Sequence, residues 1–387
     1  MSDSSVLQPA GAALPHAVER GGAVSATGDK DIAINAWRGI AALLVAYFHC
    51  RQVTWVGMQE FHKVAHGFNL NVLFSYLTLP IAWGSAGVPI FFVISGYCIH
   101  RGTARKLLAN PAAPFDTRNF LLRRFARIYP VLLAALLLTL ALDSFSLNLS
   151  PVSHKINPVT LQAFMVNLFS LQGVAGKTFG SNGALWTLSV EVQFYLVYPL
   201  LLAARRRVGM TWLLACVGVV SLVSGWVLEP RYIVVFTSYW FSWVLGAWIA
   251  EAKVRGAPAR RPLLFVAVAL ALAGLGCFAF KYSQYVAFQV WALAFAVYLF
   301  QVLDKTVRQS MAVRGLSRLG DFSFSLYVVH LPIFVLLGSV LYRSALQMSI
   351  WPSFGFTAVA IGVAIGFYWV VERPAMAWSA GFAPRRG

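Results

Sequence analysis

Residues 34–50 read INAWRGIAALLVAYFHC, an apolar run interrupted by one arginine and one histidine. A bilayer crossing needs about 20 mainly apolar residues, and the window 34–53 supplies them. Nine further windows qualify: 83–100, 128–144, 185–203, 210–228, 232–250, 263–281, 284–303, 320–342 and 351–371. The composition of the 387-residue chain agrees, with 59% hydrophobic and 11% charged residues and a mean hydropathy of +0.70. A water-soluble domain has about twice that charged fraction. Soluble domains, a disordered chain, a coiled coil and a disulfide scaffold are all excluded. The expected fold is all-α, a polytopic membrane helical bundle of about ten transmembrane helices.

Charge placement tests that count. The chain carries 31 Lys and Arg against 13 Asp and Glu, a net charge of +18. In a soluble protein such an excess would suggest nucleic acid; in a membrane protein it marks cytoplasmic loops. With the N-terminus inside, 24 of the 31 fall on the inner face. The seven outside are Arg51, Lys63, Lys155, Lys177, Arg231, Lys281 and Arg343. Both termini are therefore expected in the cytoplasm, with no nucleic-acid partner. The stretch 159–173 holds Gln162 and Asn167 between Pro158 and Gly173, and reads as an interfacial or re-entrant segment. An eleventh crossing there would scramble the charge split. Residues 1–33 are expected to be a disordered cytoplasmic tail without a secretory h-region. Residues 34–374 form the membrane domain and 375–387 a short basic tail, with no soluble domain expected at either end. Outer loops 54–82 and 145–184 are long enough to build a rim.

Ionisable groups inside a bilayer cost about 2.5–3.5 kcal/mol each on insertion scales and are functional candidates by default. Here they are Arg38, His49, Glu191, His330 and Glu372. Eleven residues separate Arg38 from His49, which at 100° per residue places them about 20° apart around one helix and ~16 Å apart along it. A cation near the inner end and an imidazole in the outer half suit a phosphate-bearing donor with a long arm. Arg38 alone could snorkel to the interface, and His49 alone could bond to backbone. In NFLLRRFARIYP (119–130), Arg124 and Arg127 lie at i, i+3 and offer fork-shaped donors to phosphates or carbonyls; topology-setting charge is the alternative reading. Glu191, with Gln193 and Tyr195 nearby in ALWTLSVEVQFYLVYP (184–199), would face a polar cavity, charge-balance an imidazole or pair with one of the cations; a buried helix-holding pair is equally open. His330 either touches substrate or packs with a backbone hydrogen bond. The glycines at 84, 87 and 96 read as close helix packing, and Ser95-Gly96 is no nucleophile elbow. Cys50, Cys98, Cys216 and Cys277 are far apart, without metal-ligand spacing, and read as small residues in apolar helices.

Taken in order, RGIAALLVAYFH, GVPIFFVISGYCI, FLLRRFARIYP, ALWTLSVEVQFYLVYPL, LGDFSFSLYVVHLPI and VVERP resemble the membrane acyltransferase 3 family over about 34–374. The family's Arg-x10-His falls on Arg38 and His49, and its Arg-x-x-Arg on Arg124 and Arg127. The resemblance implies acyl transfer, usually acetyl, from cytoplasmic acyl-CoA to an acceptor hydroxyl. No bound cofactor is implied, since acetyl-CoA or another acyl-CoA is the donor substrate. His49 would be the catalytic base or acyl carrier and would need to be neutral. Arg38, Arg124 and Arg127 would bind the donor, with Glu191, Tyr195 and His330 in support. The acceptor would be a cell-surface or lipid-linked polysaccharide, or a small glycoside or antibiotic. Membrane lipids and polysaccharide assembly proteins would be the partners, and the bacterial cytoplasmic (inner) membrane the location. Many members have Glu where this chain has Val192, and many carry a C-terminal hydrolase-like domain without a counterpart here. A transporter or flippase of lipid-linked sugars is the rival class, but the paired broken helices of transporters are not visible.

Overall fold

A computed structural model of the chain describes residues 19–65, 67–259, 263–279, 284–304 and 309–382, with 19–30 described as backbone alone. Helix α1 (Glu19–Thr54) leads to two short outer helices, α2 (Met58–Val64) and α3 (Leu70–Leu77). A 3-10 turn over Leu79–Ala86 then feeds α4 (Gly87–Ala109). Next come α5 (Thr117–Ser146), the short α6 (Leu161–Leu168) and α7 (Trp186–Val208). They are followed by α8 (Met210–Leu228), α9 (Phe236–Val254), α10 (Leu264–Ala279) and α11 (Gln284–Val302). The chain ends with α12 (Met311–Asp321), α13 (Ser323–Tyr342), α14 (Trp351–Phe367), a π-turn over Tyr368–Glu372 and α15 (Arg373–Gly381). Among the described residues there are two isolated bridges and no strand.

Each of the ten apolar windows contains a long helix among the described residues. Among the described residues, eight helices are long and apolar enough to cross a membrane. The two windows outside that set are α9, diluted by Thr237, Ser238, Ser242 and Glu251, and α10, whose described part is 16 residues. The described ends share one side. Arg101 pairs with Asp31, three residues before the 34–53 window, at 2.7 Å, and Asn119 donates to the Phe382 carbonyl at 2.5 Å. An even number of crossings requires this.

Residues 19–33, expected within a disordered tail, are helical as part of α1, which is described from Glu19; residues 1–18 lie outside the described residues. The tail expected over 375–387 begins as α15, which is held on α5 where Ser379 Oγ donates to the Arg123 carbonyl at 2.6 Å. Residues 383–387 lie outside the described residues, as do Arg260, Arg261, Lys281, Lys305 and Arg308 of the charge count. The 159–173 segment does form a short helix, α6, whose eight residues cannot cross a bilayer. Its Asn167 ties the outer loop together, donating to the Ala163 and Lys177 carbonyls and accepting from the Phe179 N–H at 3.1 Å.

Helix α13 is the central post, buried without interruption from Ser325 to Val335. Around it α1, α4, α5, α7 and α14 build the main core, while α8 turns Trp212 and Trp226 outward. An apolar outer face is what a helix bordering lipid requires. Helices α4 and α9 meet backbone to backbone: a Cβ at Gly96 would run into the Trp243 carbonyl, and one at Gly246 into that of Val93. Pro332 within α13 lacks the N–H that would bond the Val328 carbonyl. Asn182 replaces it, its Nδ2 donating to Val328 O at 2.8 Å and to Thr139 Oγ1 at 3.1 Å.

Candidate active site

Five of the seven predicted site residues line one cavity of about 150 Å³: Arg38 from α1, Arg124 and Arg127 from α5, Glu191 and Tyr195 from α7. The i, i+3 spacing of the arginines and the i, i+4 spacing of Glu191 and Tyr195 put each pair on one helix face. On α4 the lining runs from Val88 to Ile99, ~16 Å of helix. Ser95 and Cys98 also line it. The guanidinium of Arg124 lies 5.5 Å from the Phe120 ring and 5.7 Å from the Tyr195 ring, within cation–π range.

Glu191 is engaged by hydroxyls. It accepts from Tyr195 Oη on its own helix and from Ser95 Oγ across on α4 at 3.1 Å. Trp243 Nε1 donates to Ser95 Oγ at 3.3 Å and fixes that hydroxyl from behind. The pairing of Glu191 with an arginine, one of the readings of the sequence, is not made among the described residues, because Tyr195 and Ser95 are nearer partners. Arg38 and Arg127 donate no hydrogen bond to any described residue, and Arg124 Nε is buried without a partner. Three guanidiniums thus face one carboxylate in a half-enclosed space. Enclosed charge that lacks an acceptor is costly, and an anionic or carbonyl-bearing ligand would remove that cost.

The histidines stand apart from this cavity. His49 Nδ1 and His330 Nε2 are hydrogen-bonded at 2.9 Å, with rings nearly parallel at 10° and centroids 5.2 Å apart. His330 is fully buried and His49 half-buried. Hydrogen-bond logic sets the tautomers. The Leu326 carbonyl can only accept, so His330 Nδ1, 3.0 Å away, carries a proton. Neutral His330 then accepts at Nε2, His49 donates from Nδ1, and the free lone pair of His49 is on Nε2. His330 therefore has both the predicted backbone bond and a contact with His49.

The cavity that holds Arg38 does not reach His49. Neither histidine lines the cavity, and Ala42 and Val45, which lie between Arg38 and His49 on their face of α1, are packed in the core. The upper end of the cavity is Tyr327, hydrogen-bonded to Thr187 Oγ1 at 2.8 Å, with its ring edge-on to His330 at 5.9 Å. Sequence reading missed Tyr327, Thr187 and the cavity-facing Ser95 and Cys98. The available signal was their hydroxyls and thiol in otherwise apolar spans, with Tyr327 three residues before His330. Glu372 is buried on the π-turn and accepts from Ser325 N at 3.0 Å and Ser325 Oγ at 2.6 Å, anchoring the start of α13.

The profile of an acyltransferase domain matches residues 31–369, which includes every residue of the cavity and both histidines. The chain belongs to the acyltransferase 3 family. It is also similar to nodulation protein 10 of Rhizobium leguminosarum bv. viciae, 27% identical over 164 residues, which is 39% of this chain and 42% of that protein. An uncharacterised protein of Haemophilus influenzae is 34% identical over 122 residues, 29% of this chain and 47% of its own length. The chain thus spans under half the length of these curated relatives. No solved structure matches it. The chain is thus an acyltransferase 3 domain whose described helices include eight long and apolar enough to cross a membrane.

Proposed function

We propose that this protein moves an acyl group, acetyl, from cytoplasmic acyl-CoA to a hydroxyl of a cell-surface or lipid-linked polysaccharide. It would do so in the bacterial cytoplasmic (inner) membrane, with both termini inside. The observation that carries the reading is the cavity of three arginines that donate no hydrogen bond to any acceptor among the described residues. A thioester donor with phosphates and amide carbonyls supplies such acceptors. Arg38, Arg124 and Arg127 bind it from the side that holds the basic 101–127 segment.

His49 is the general base. Its Nε2 lone pair takes the proton of the acceptor hydroxyl as that oxygen attacks the thioester carbonyl. The carbon–sulfur bond breaks, the imidazolium returns its proton to the departing thiolate, and an ester and free CoA result. His330 Nε2, facing His49 Nδ1–H, keeps the imidazole in the reactive tautomer and stabilises the imidazolium. Glu191 offsets part of the arginine charge and, with Tyr195, holds the chamber wall. The decisive experiment is His49→Ala in an expressing strain, with mass spectrometry of its surface glycans: acetyl esters should disappear, and their full retention would exclude the assignment.

A further inference from the structure

We infer that Tyr327 is the specificity-determining residue for acyl-chain length, a partition between the arginine chamber and the histidine pair. This rests on the donor reading above. The ring is 7% exposed and lines the chamber with Thr187. One edge contact is to Phe91 at 5.6 Å, inside the chamber; another is to His330 at 5.9 Å, outside it. Tyr327 and His330 are three residues apart on α13, which places their Cα atoms ~4.5 Å apart along the helix, with ring centroids 5.9 Å apart. A thioester carbonyl coming from the arginines must draw level with this ring to meet an acceptor at His49. Its acyl chain then occupies space closed by Tyr327, Phe91, Val88 and Leu188.

The partition is held in place at its tip. The phenol oxygen is hydrogen-bonded to Thr187 Oγ1, and Thr187 in turn donates to the Ala184 carbonyl at 3.2 Å in the 3-10 turn over Gly183–Leu185. The tether therefore leads to the outer loop, not to a mobile side chain. A fixed aromatic wall admits a short chain and excludes a long one, as each methylene refused by an apolar pocket is worth about tenfold or more in discrimination.

The test supplies membranes of the expressing strain with acetyl-, butyryl- and hexanoyl-CoA at equal concentration and counts acyl esters on its surface glycans. Wild type should favour acetyl over hexanoyl by about tenfold or more. Tyr327→Ala and Tyr327→Leu should raise the hexanoyl-to-acetyl ratio about tenfold, while Tyr327→Phe, which keeps the ring, should stay near wild type. An unchanged ratio in the Ala and Leu variants, or a wild type indifferent to length, overturns the inference. If neither truncated variant accumulates, maleimide labelling of Cys98 in wild type, read site by site, decides. Cys98 is exposed to the chamber, and acetyl-CoA should protect it better than hexanoyl-CoA; equal protection counts against the gauge. A wild type that transfers nothing from any CoA ester sinks the donor reading itself and takes the gauge with it.

Discussion

The arginine chamber and the histidine pair lie on either side of Tyr327 and the packed Ala42 and Val45, yet they satisfy their polar atoms in opposite ways. In the chamber, Arg38 and Arg127 have no acceptor among the described residues, and Arg124 Nε is buried without one. At the pair, a backbone carbonyl, His330 and His49 form a closed chain of hydrogen bonds that ends in a single free nitrogen. The first region is completed by something that arrives; the second is ready before anything does. Binding and proton transfer should therefore fail separately when each region is damaged.

The largest effect should come from His49→Ala. General acid–base catalysis by a positioned group contributes about 10²–10⁴-fold, so transfer should fall by that order while acyl-CoA binding to purified protein is unchanged. Loss of binding in this variant would erase the distinction between the regions. Arg127→Ala should behave the other way. A hydrogen bond to a charged group contributes about 1.5–3 kcal/mol, so KM for acyl-CoA should rise about 10- to 100-fold with kcat nearly preserved. A fall in kcat at constant KM would move Arg127 from donor binding to the chemical step.

How much of this was readable beforehand follows from which forces act over one helix and which act between helices. Hydropathy marked the ten long helices among the described residues, because a bilayer penalises any other pattern. The turn angle between Arg38 and His49, and the pairs Arg124–Arg127 and Glu191–Tyr195, were legible since they depend on one helix each. The break between the two regions was not, because it depends on α13 pressing Tyr327 against Phe91 of α4 and Thr187 of α7. A tyrosine in an apolar span reads as packing until its neighbours are known. The start of α1 was misplaced for a local reason: Ala, Glu and Lys among the glycines of 19–30 do not force a helix, and nothing there forbids one.

His330 tests the closed chain itself. His330→Ala leaves His49 Nδ1–H without its acceptor and frees the ring to take the wrong tautomer, so kcat should drop about tenfold or more. His330→Gln, whose amide oxygen can accept from His49, should recover part of that loss. KM for acyl-CoA should not move in either variant, and the pH profile of kcat should shift in the alanine variant, which a merely structural role for His330 would not cause. Equal kcat in the Gln and Ala variants would mean that accepting from His49 is not what His330 does.

The smallest effect lies one step further out, at the outer-loop support of α13. Asn182→Ala removes the donor that Val328 O needs because Pro332 has no N–H. A buried carbonyl left unsatisfied costs about 1–3 kcal/mol, to be read as a lower unfolding midpoint in detergent with donor KM unchanged. Pro332→Ala restores an N–H at the position that could bond Val328 O within the helix. In that background the same Asn182→Ala change should cost less, since the carbonyl regains a partner. A double-mutant cycle measures this coupling directly. If the two changes are additive, Asn182 stabilises the fold through Thr139 or packing instead, and α13 holds the histidine pair without help from the loop.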